Sequence, residues 1–439
     1  MVSTLDLDLR PGSGIGPFEL GASLFDVLDF LRRPSPPTFP SISVKYDAAS
    51  PALSPIILHL RPYLDLVFSR KTQRLQTISL SLHLNNQIHI PLVLNYKNEV
   101  LSGPDVVPRR TAVQRMMGPT YKDERMKYPG VWFSFEDDAS GATGVINSTE
   151  GNAEIKRVVV TQRQEQNEPE KEETEELDGL IPNSTMYGDI KKAVIKIHDG
   201  IYLYFFTPES EDPPIHIRLG VTTVEDLTCD LGPPVLTHYK EDDRMSIHAT
   251  AQDDEESYFY NYFQHGLDFL ISGKTHRVRK IIVHSNVPGS PLFQRYKRCP
   301  WEFSLSSQDT APTPASHTIE PGTTPPTAEL DAPAAKAGGK KKKKKAEGER
   351  PRTSFEVYDN TPNNSQETVA FYDTFDILKQ KLGQGSRHSA QASMQLERTA
   401  DLPHNELLTL SSSTTQLYAF DGVFCEASEV GDVLCVGLF

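Results

Sequence analysis

The sequence predicts an α+β protein made of about four repeated units, each with one helix packed on an antiparallel sheet, with long disordered insertions between them. Two observations lead to this prediction. Capped helix patterns followed by strand patterns occur four times along the chain, and one pair of strands recurs without a gap at residues 64–80 and 267–283. Each helix can then bury its apolar stripe on one face of its own sheet.

The first unit begins with a strand and a capped helix. Residues 5–9 alternate Leu and Asp, the period of two that is typical of a strand. Ser23 and Asp26 form a capping box, and apolar residues recur at helical spacing from Leu24. The glycines at 12, 14 and 16 lie between these elements, but the helix starts too late for a dinucleotide-binding fingerprint. We therefore expect a plain loop there.

The clearest repeat is a pair of strands joined by a polar turn. Seven positions are identical in the two copies: Leu64, Asp65, Ser69, Lys71, Thr72, Arg74 and Ile78 match Leu267, Asp268, Ser272, Lys274, Thr275, Arg277 and Ile281. The match bears on Gly273-Lys274-Thr275, which resembles the end of a phosphate-binding loop. The glycine spacing is wrong for such a loop, and the equivalent Arg70-Lys71-Thr72 indicates a shared hairpin turn.

Weaker copies and shifts in composition give the remaining boundaries. Runs of like charge and segments rich in Pro, Thr and Ala are typical of disordered chain. In chain order we predict a first helix-and-sheet unit (1–100), a second, weaker unit (101–163), an acidic disordered spacer (164–186), a third unit (187–303), a disordered insertion (304–352) and a C-terminal unit (353–439) with an internal loop (383–412).

Composition favours a cytoplasmic protein. The formal net charge of −14 argues against a general affinity for nucleic acid, so we expect no nucleic-acid partner. The four cysteines form no CxxC pair, which suits free thiols in a reducing compartment. No apolar run reaches the roughly 18 residues of a membrane span, and the N-terminal residues do not resemble a signal peptide.

No catalytic or metal-binding pattern stands out, so we expect neither enzyme activity nor a cofactor. The sequence contains no Gly-x-Ser-x-Gly and no His-Glu-x-x-His. His248, His265, His276 and His284 fall in one unit, but their spacing is not diagnostic of a metal site. We interpret them as surface or hydrogen-bonding histidines.

Two features suggest contacts with other molecules. Residues 258–263 read Tyr-Phe-Tyr-Asn-Tyr-Phe, which predicts a strand with aromatic side chains on both faces. Aromatic residues also anchor protein interfaces, so a partner-binding patch is the alternative. The unbroken lysines at 340–345 fit a solubilising segment, a nuclear-import signal or a contact with anionic lipid.

One long, ordered pattern of residues runs through residues 220–303. It consists of Leu231, Gly232, Pro233, Pro234, Tyr239, Lys240, Asp243, Met245, Ile247, His248, Tyr258, Phe259, Asn261, Tyr262, Phe263, Gly266, Asp268, Thr275, His276, Val278, Lys280, His284, Asn286, Pro288, Gly289, Tyr296, Arg298 and Cys299. This pattern resembles a signature of the phagosome assembly factor 1 family. The first unit and the final helix and strands resemble that family more loosely, and residues 82–215 match it poorly.

The resemblance implies a non-enzymatic adaptor or regulatory factor in autophagy that acts at the phagophore assembly site. It implies a partner too, a phosphoinositide-recognising β-propeller protein of the breast carcinoma amplified sequence 3 type, through which the chain would associate peripherally with autophagic membranes. An older family label points instead to a scaffold in Golgi or vesicle trafficking. A small-molecule or lipid-binding protein, or an unrecognised enzyme, is a third hypothesis.

No catalytic residues come with the resemblance, and candidate contact residues are assigned from residue type and position. The candidate partner-binding residues are Tyr239, Lys240, Tyr260, Tyr262, His276 and Lys280. The candidate membrane-contact residues are Lys340, Lys341, Lys342, Lys343, Lys344 and Lys345.

Overall fold

A computed structural model of the chain describes residues 5–33, 39, 41–82, 92–120, 126–135, 153–163, 180–208, 212–239, 257–305, 367–385, 394–397 and 414–439. Met1–Ser304 and Thr368–Phe439 form one unit, and Leu305–Glu367 form another. The fold described below is that of the first unit. Most of the predicted acidic spacer, almost all of the predicted insertion and most of the loop at 383–412 lie outside the described residues, and the domain boundaries remain predictions.

The first half of the chain forms two sheets. Its described elements are β1 (Leu5–Arg10), β2 (Gly14–Ile15), β3 (Phe18–Glu19), α1 (Leu24–Arg32), β4 (Ser41–Lys45), β5 (Ile56–Arg61), β6 (Leu64–Phe68), β7 (Leu75–Ser81), β8 (Leu92–Tyr96), β9 (Glu99–Ser102), α2 (Arg110–Met117), β10 (Met126–Tyr128), β11 (Val131–Ser134) and β12 (Arg157–Thr161). The first small sheet has the order β3-β2-β1-β8-β9. The first large sheet has the order β10-β11-β12-β7-β6-β5-β4.

The second half also forms two sheets. Its described elements are β13 (Ile190–Lys196), β14 (Gly200–Phe205), β15 (Ile215–Arg218), α3 (Val224–Leu231), β16 (Leu236–Tyr239), β17 (Tyr258–Tyr262), β18 (Leu267–Ile271), β19 (Val278–His284), β20 (Trp301–Leu305), β21 (Glu367–Ala370), α4 (Phe375–Gly385), β22 (Met394–Glu397), β23 (Thr414–Phe420), β24 (Val423–Ala427) and β25 (Val433–Leu438). The second small sheet has the order β15-β14-β13-β20-β21. The second large sheet has the order β16-β17-β18-β19-β25-β24-β23-β22.

The two halves share one strand order. In each small sheet the first strand of the half pairs in parallel with a strand from much later in the chain, β1 with β8 and β13 with β20. In each large sheet a hairpin, β6–β7 or β18–β19, pairs with the last strand of its half, β12 or β25. The second large sheet adds one strand, β22, at its far edge.

The prediction of an α+β protein with about four helix-on-sheet units is wrong. The described structure is mainly β, with four sheets of five to eight strands and only short helices. The predicted units are also not independent, because sheet hydrogen bonds cross their boundaries. β7 of the predicted first unit pairs with β12 of the predicted second, and β19 of the third pairs with β25 of the C-terminal unit.

The matching hairpins have one register. Leu64 pairs with Leu80 as Leu267 pairs with Val283, and both hairpins carry an irregularity before their last pair. Each hairpin turn also bridges to a helix N-cap, Ser23 to Arg74 and Thr223 to Arg277. The turn therefore fixes where α1 and α3 begin.

Short helices need both caps and burial, because isolated helices of this length are marginal in water. The Ser23 hydroxyl accepts a hydrogen bond from the Asp26 amide at 3.1 Å. Thr223 and Asp226 form a complete capping box. None of the helices in the described part of the chain could cross a membrane.

A loop from the second half, at residues 285–298, joins the two halves. The side-chain amide of Asn286 donates to Gln73 Oε1 at 2.8 Å, and the Gln73 amide returns a bond to the Asn286 carbonyl at 2.9 Å. Arg298 is buried, and its guanidinium donates to the carbonyls of Arg70 at 2.6 Å and Ser285 at 2.8 Å. Burial lowers the pKa of Arg298 to about 9, which leaves it charged at neutral pH.

A network of ion pairs also connects the two halves, at the place that we call the junction. The Asp189 carboxylate accepts from Arg74 and from Lys297, each at 2.8 Å. Lys297 lies 3.0 Å from Asp26 on α1. Since Arg74 and Asp26 belong to the first half and Lys297 and Asp189 to the second, these pairs fix the halves against each other.

Replacing Arg298 with Met should destabilise the protein strongly. The change leaves buried carbonyls of both halves without a donor, at a cost of roughly 3 kcal/mol. The midpoint of thermal unfolding should fall by several degrees, whereas the control Arg218→Met, at an exposed strand position, should leave it nearly unchanged. Equal midpoints for the two variants would contradict this role of Arg298.

Candidate functional site

Four of the exposed or half-exposed ring side chains of the second half lie together at one edge of the second large sheet. We call Tyr239, Tyr258, Tyr260 and His276 the aromatic edge. β16 is the edge strand in the part of the sheet that the structure describes. Tyr239 on β16 pairs with Tyr258 on β17, and because strand side chains alternate, Tyr260 lies on the same face.

The rings of the aromatic edge contact one another. Tyr258 is central, with ring centroids 5.6 Å from Tyr239, 5.4 Å from Tyr260 and 6.3 Å from His276. Its hydroxyl lies 3.1 Å from His276 Nδ1. Tyr239 is 65% exposed, so the row ends in solvent. Partial burial raises the pKa of Tyr258, and its tyrosine neighbours and Glu225 raise it further.

The hairpin turn sets the position of His276. Its backbone has a φ of 50°, its amide donates to the Ser272 carbonyl at 2.9 Å, and its carbonyl accepts from the Val224 amide at 3.0 Å. Gln73 occupies the equivalent turn of the first half, with a φ of 52°. Gln73 is buried at the junction, whereas His276 is exposed beside Tyr258.

Tyr262 lies on the same face of β17 but in the core. It is fully buried, and its hydroxyl donates to the Gly232 carbonyl at the end of α3 at 3.0 Å. Burial raises the pKa of Tyr262 to about 12. Tyr262 thus holds α3 against the strand from inside. The residues on this face that a partner could reach are those of the aromatic edge.

The other predicted contact residues lie elsewhere. Lys280 is on the opposite face of the second large sheet, because it pairs with Leu270, which alternates with buried Phe269. Lys240 and Lys340–Lys345 lie outside the described residues. The structure therefore brings together Tyr239, Tyr260 and His276, and it adds Tyr258, which the candidate residues omitted although period-two alternation places it beside Tyr260.

Many residues of the recognised pattern are buried and structural. Asp268 accepts from Tyr296 Oη at 2.8 Å and from the Asn261 amide at 2.7 Å, and it lies 2.9 Å from His284 Nε2. The ring of His284 stacks on Tyr296 at 3.7 Å. These polar groups satisfy one another in the interior, as buried polar groups must. Sequence reasoning did not assign this role to Asp268.

Beside this cluster lies a cavity of about 10 Å³, lined in part by His284, Tyr296, Glu426 and Cys435. A cavity of this size has room for about one water molecule. The Glu426 carboxylate already accepts from Thr415 Oγ1 at 2.6 Å. Within the described residues no group of His, Cys, Asp and Glu side chains could hold a metal ion. The exposed aromatic edge is therefore the candidate site, and it is suited to contact with another protein.

His265 makes the stability of the fold depend on pH. Burial, reinforced by Lys297, lowers its pKa, and its Nδ1 is buried without a hydrogen-bond partner. The folded imidazole therefore takes up a proton only at a lower pH than the imidazole of the unfolded chain, whose pKa is about 6.5. His265 contributes stability above that pH, and the contribution is lost as the pH falls below it.

We expect the wild-type protein to lose stability relative to His265→Gln when the pH falls from 7.5 to 5.5. The loss is bounded by about 1.4 kcal/mol per pH unit for one linked proton. Denaturant unfolding of both proteins at a series of pH values measures the difference. A difference that stays constant with pH would show that His265 does not carry this linkage.

Comparison with known proteins places the chain in a family. Residues 14–329 match the family described as Phagosome assembly factor 1. A PHAF1 protein of Arabidopsis thaliana is 26% identical over 350 residues, which cover 72% of this chain and 79% of the relative. A PHAF1 protein of Drosophila melanogaster is 33% identical over 100 residues, which cover 22% of this chain and 23% of the relative. A PHAF1 protein of Caenorhabditis elegans is 36% identical over 90 residues, which cover 20% of this chain and 21% of the relative. No solved structure matches significantly. The chain belongs to the phagosome assembly factor 1 family.

Proposed function

We propose that the chain is a non-enzymatic adaptor in autophagy, recruited from the cytoplasm to the phagophore assembly site together with a phosphoinositide-binding β-propeller protein of the breast carcinoma amplified sequence 3 type. Family membership supports the class of function. The observation that carries the proposal is the aromatic edge, a row of touching rings that ends in solvent at Tyr239.

The aromatic edge has the chemistry of a protein-binding surface. Tyrosine is among the residues that supply most of the binding energy at interfaces, because its ring is large, rigid and carries a polar end. Val235 and Leu236, next to it along the chain, are 60% and 45% exposed. Exposed apolar groups on an edge strand are unusual, since edges are normally protected by charge or cover.

The interior supports an adaptor rather than an enzyme. The buried Asp268 and His284 of the second large sheet bond to each other and to Tyr296 of the loop, so they are not poised toward a substrate. The volume of the cavity beside them, about 10 Å³, is far below the roughly 300 Å³ of a small-molecule site. The partner would therefore be recognised at the surface.

Binding to the purified propeller protein tests the proposal. Tyr239→Ala and Tyr258→Ala should each weaken binding by about tenfold or more, as truncation of an interface anchor does. Tyr187→Ala, at another tyrosine that is 42% exposed, is the matched control and should bind as the wild type does. Fluorescence titration or calorimetry gives the affinities.

Two kinds of result distinguish a wrong binding site from a wrong function. If the propeller binds and the tyrosine variants bind equally well, the aromatic edge is not the contact. If the propeller is not recovered from starved cells, deletion leaves autophagic flux intact, or the tagged chain stays at the Golgi with and without starvation, the adaptor function itself fails.

A further inference from the structure

The aromatic edge has a counterpart in the first half, and that counterpart is apolar and closed. Ile56 and Leu58 of β5 hold the sheet positions that Tyr258 and Tyr260 hold on β17. The two aliphatic side chains are buried in the core, at 1% and 0% exposure, whereas the two tyrosines are only half-buried. The first half therefore covers this corner of its large sheet, and the second half leaves the same corner accessible.

A carboxylate accompanies this change. Glu225 is the second residue after the N-cap of α3, and Phe25 holds the same place in α1. The two helices start at equivalent points, because both N-caps bridge to the hairpin turn. Burial, the neighbouring tyrosines and Glu225 raise the pKa of Tyr258. The negative charge of Glu225 thus acts on the aromatic edge, where the first half has an apolar side chain.

The surroundings of Glu225 do not balance its charge. The acidic residues of α3 are Glu225, Asp226 and Asp230, and the helix contains neither Lys nor Arg. Arg277 of the hairpin turn donates to the Gly220 carbonyl at 3.1 Å and lies within electrostatic reach of Asp226. Among the residues that the structure describes, no Lys or Arg forms an ion pair with Glu225. A partner could therefore supply the missing cation.

The tyrosine rings of the aromatic edge have no cation either. Four tyrosines elsewhere each have a lysine Nζ at 4.5 to 5.8 Å from the ring centre, namely Tyr96, Tyr202, Tyr372 and Tyr418. Within the described chain, no Lys or Arg lies over Tyr239, Tyr258 or Tyr260. The rings of Tyr239 and Tyr260 are inclined to that of Tyr258 by 41° and 55°, so the three do not stack face to face. Ring faces are electronegative and attract cations.

We propose that the aromatic edge binds an arginine side chain of the protein partner, with its guanidinium against the tyrosine rings and paired with Glu225. Arginine is favoured over lysine because its planar guanidinium stacks on aromatic faces and its N–H groups match the two oxygens of a carboxylate. An apolar group at this place would instead desolvate Glu225 without giving it a partner.

This inference rests on the proposed function, because it takes the aromatic edge to be the surface that the partner contacts. It adds the chemistry of the group that the partner presents. The comparison of the halves explains why only the second half would bind it, since Phe25, Ile56 and Leu58 offer neither a carboxylate nor an aromatic row.

Displayed short random peptides test the inference on the full chain. The peptides are selected on the wild type and depleted on Tyr258→Leu, so that those requiring the ring remain. The enriched peptides should share an arginine, and replacing it with Gln should weaken binding by about tenfold or more. Replacing it with Lys should weaken binding less, because the charge is kept and the planar fork is lost.

Variants of the chain distinguish a cation site from an apolar one. Tyr258→Leu keeps an apolar side chain without a ring, and it should bind the peptides about tenfold more weakly than Tyr258→Phe, which keeps the ring. Glu225→Gln should weaken binding by about tenfold, whereas the control Asp230→Asn, at an exposed acid of the same helix, should bind as the wild type does. Unchanged melting temperatures establish that these variants are folded.

Contrary results overturn the inference. Failure to enrich any peptide, enriched peptides without a shared arginine, or equal affinities of Tyr258→Leu and Tyr258→Phe would show that the rings do not bind a guanidinium. Equal losses in Glu225→Gln and Asp230→Asn would show a general effect of charge. Binding to phosphatidylcholine vesicles that Tyr258→Leu abolishes would assign the rings to the quaternary ammonium of a lipid.

Propeller binding distinguishes a failure of this inference from a failure of the proposed function. If Tyr258→Ala weakens propeller binding and Glu225→Gln does not, the aromatic edge is the contact and the arginine is wrong. If the propeller protein does not bind the wild type, the proposed function fails, and the peptide selection still decides whether the aromatic edge takes an arginine.

Discussion

The buried guanidinium of Arg298 is the interaction on which the arrangement of the two halves depends. Each half has its own pair of sheets, and the loop at residues 285–298 is a main connection between them. Arg298 donates to the carbonyl of Arg70 in the first half and to that of Ser285 in the second. A buried charge is stable only if its donors are satisfied, so both loops must keep their conformations together. The amide pair of Gln73 and Asn286 adds a second, neutral connection beside it.

Local features of the fold were predictable from the sequence, and its long-range features were not. The side-chain cap of α1, the capping box of α3 and the hairpins at residues 64–80 and 267–283 depend on neighbours within a few residues, and each occurs where the pattern places it. The parallel pairing of β1 with β8 and the pairing of β19 with β25 join distant segments. No spacing in the sequence encodes those partners, and without them the hairpins looked like parts of separate helix-on-sheet units.

The candidate site shows the same division. Residue type indicated that Tyr239, Tyr260 and His276 could contact a partner, and the structure places their rings on one surface through Tyr258. Residue type alone could not predict which side chains of β17 are buried. Tyr262 continues the same row, but it is buried against the end of α3, and its hydroxyl donates to the Gly232 carbonyl. Asp268, Asn286 and Arg298, which belong to the same pattern, hold the interior and the contact between the two halves.

Repetition of one strand order lets equivalent positions of the two halves take different roles. The same hairpin turn presents Gln73 to the junction in the first half and His276 to solvent in the second. The same sheet position carries Ser79 in the first half and Ile282 in the second. Because the first half contributes Gln73, Arg74 and the Arg70 carbonyl to the junction, its turn is constrained by packing. The second half is held by the loop at 285–298 instead, which leaves its turn free to differ.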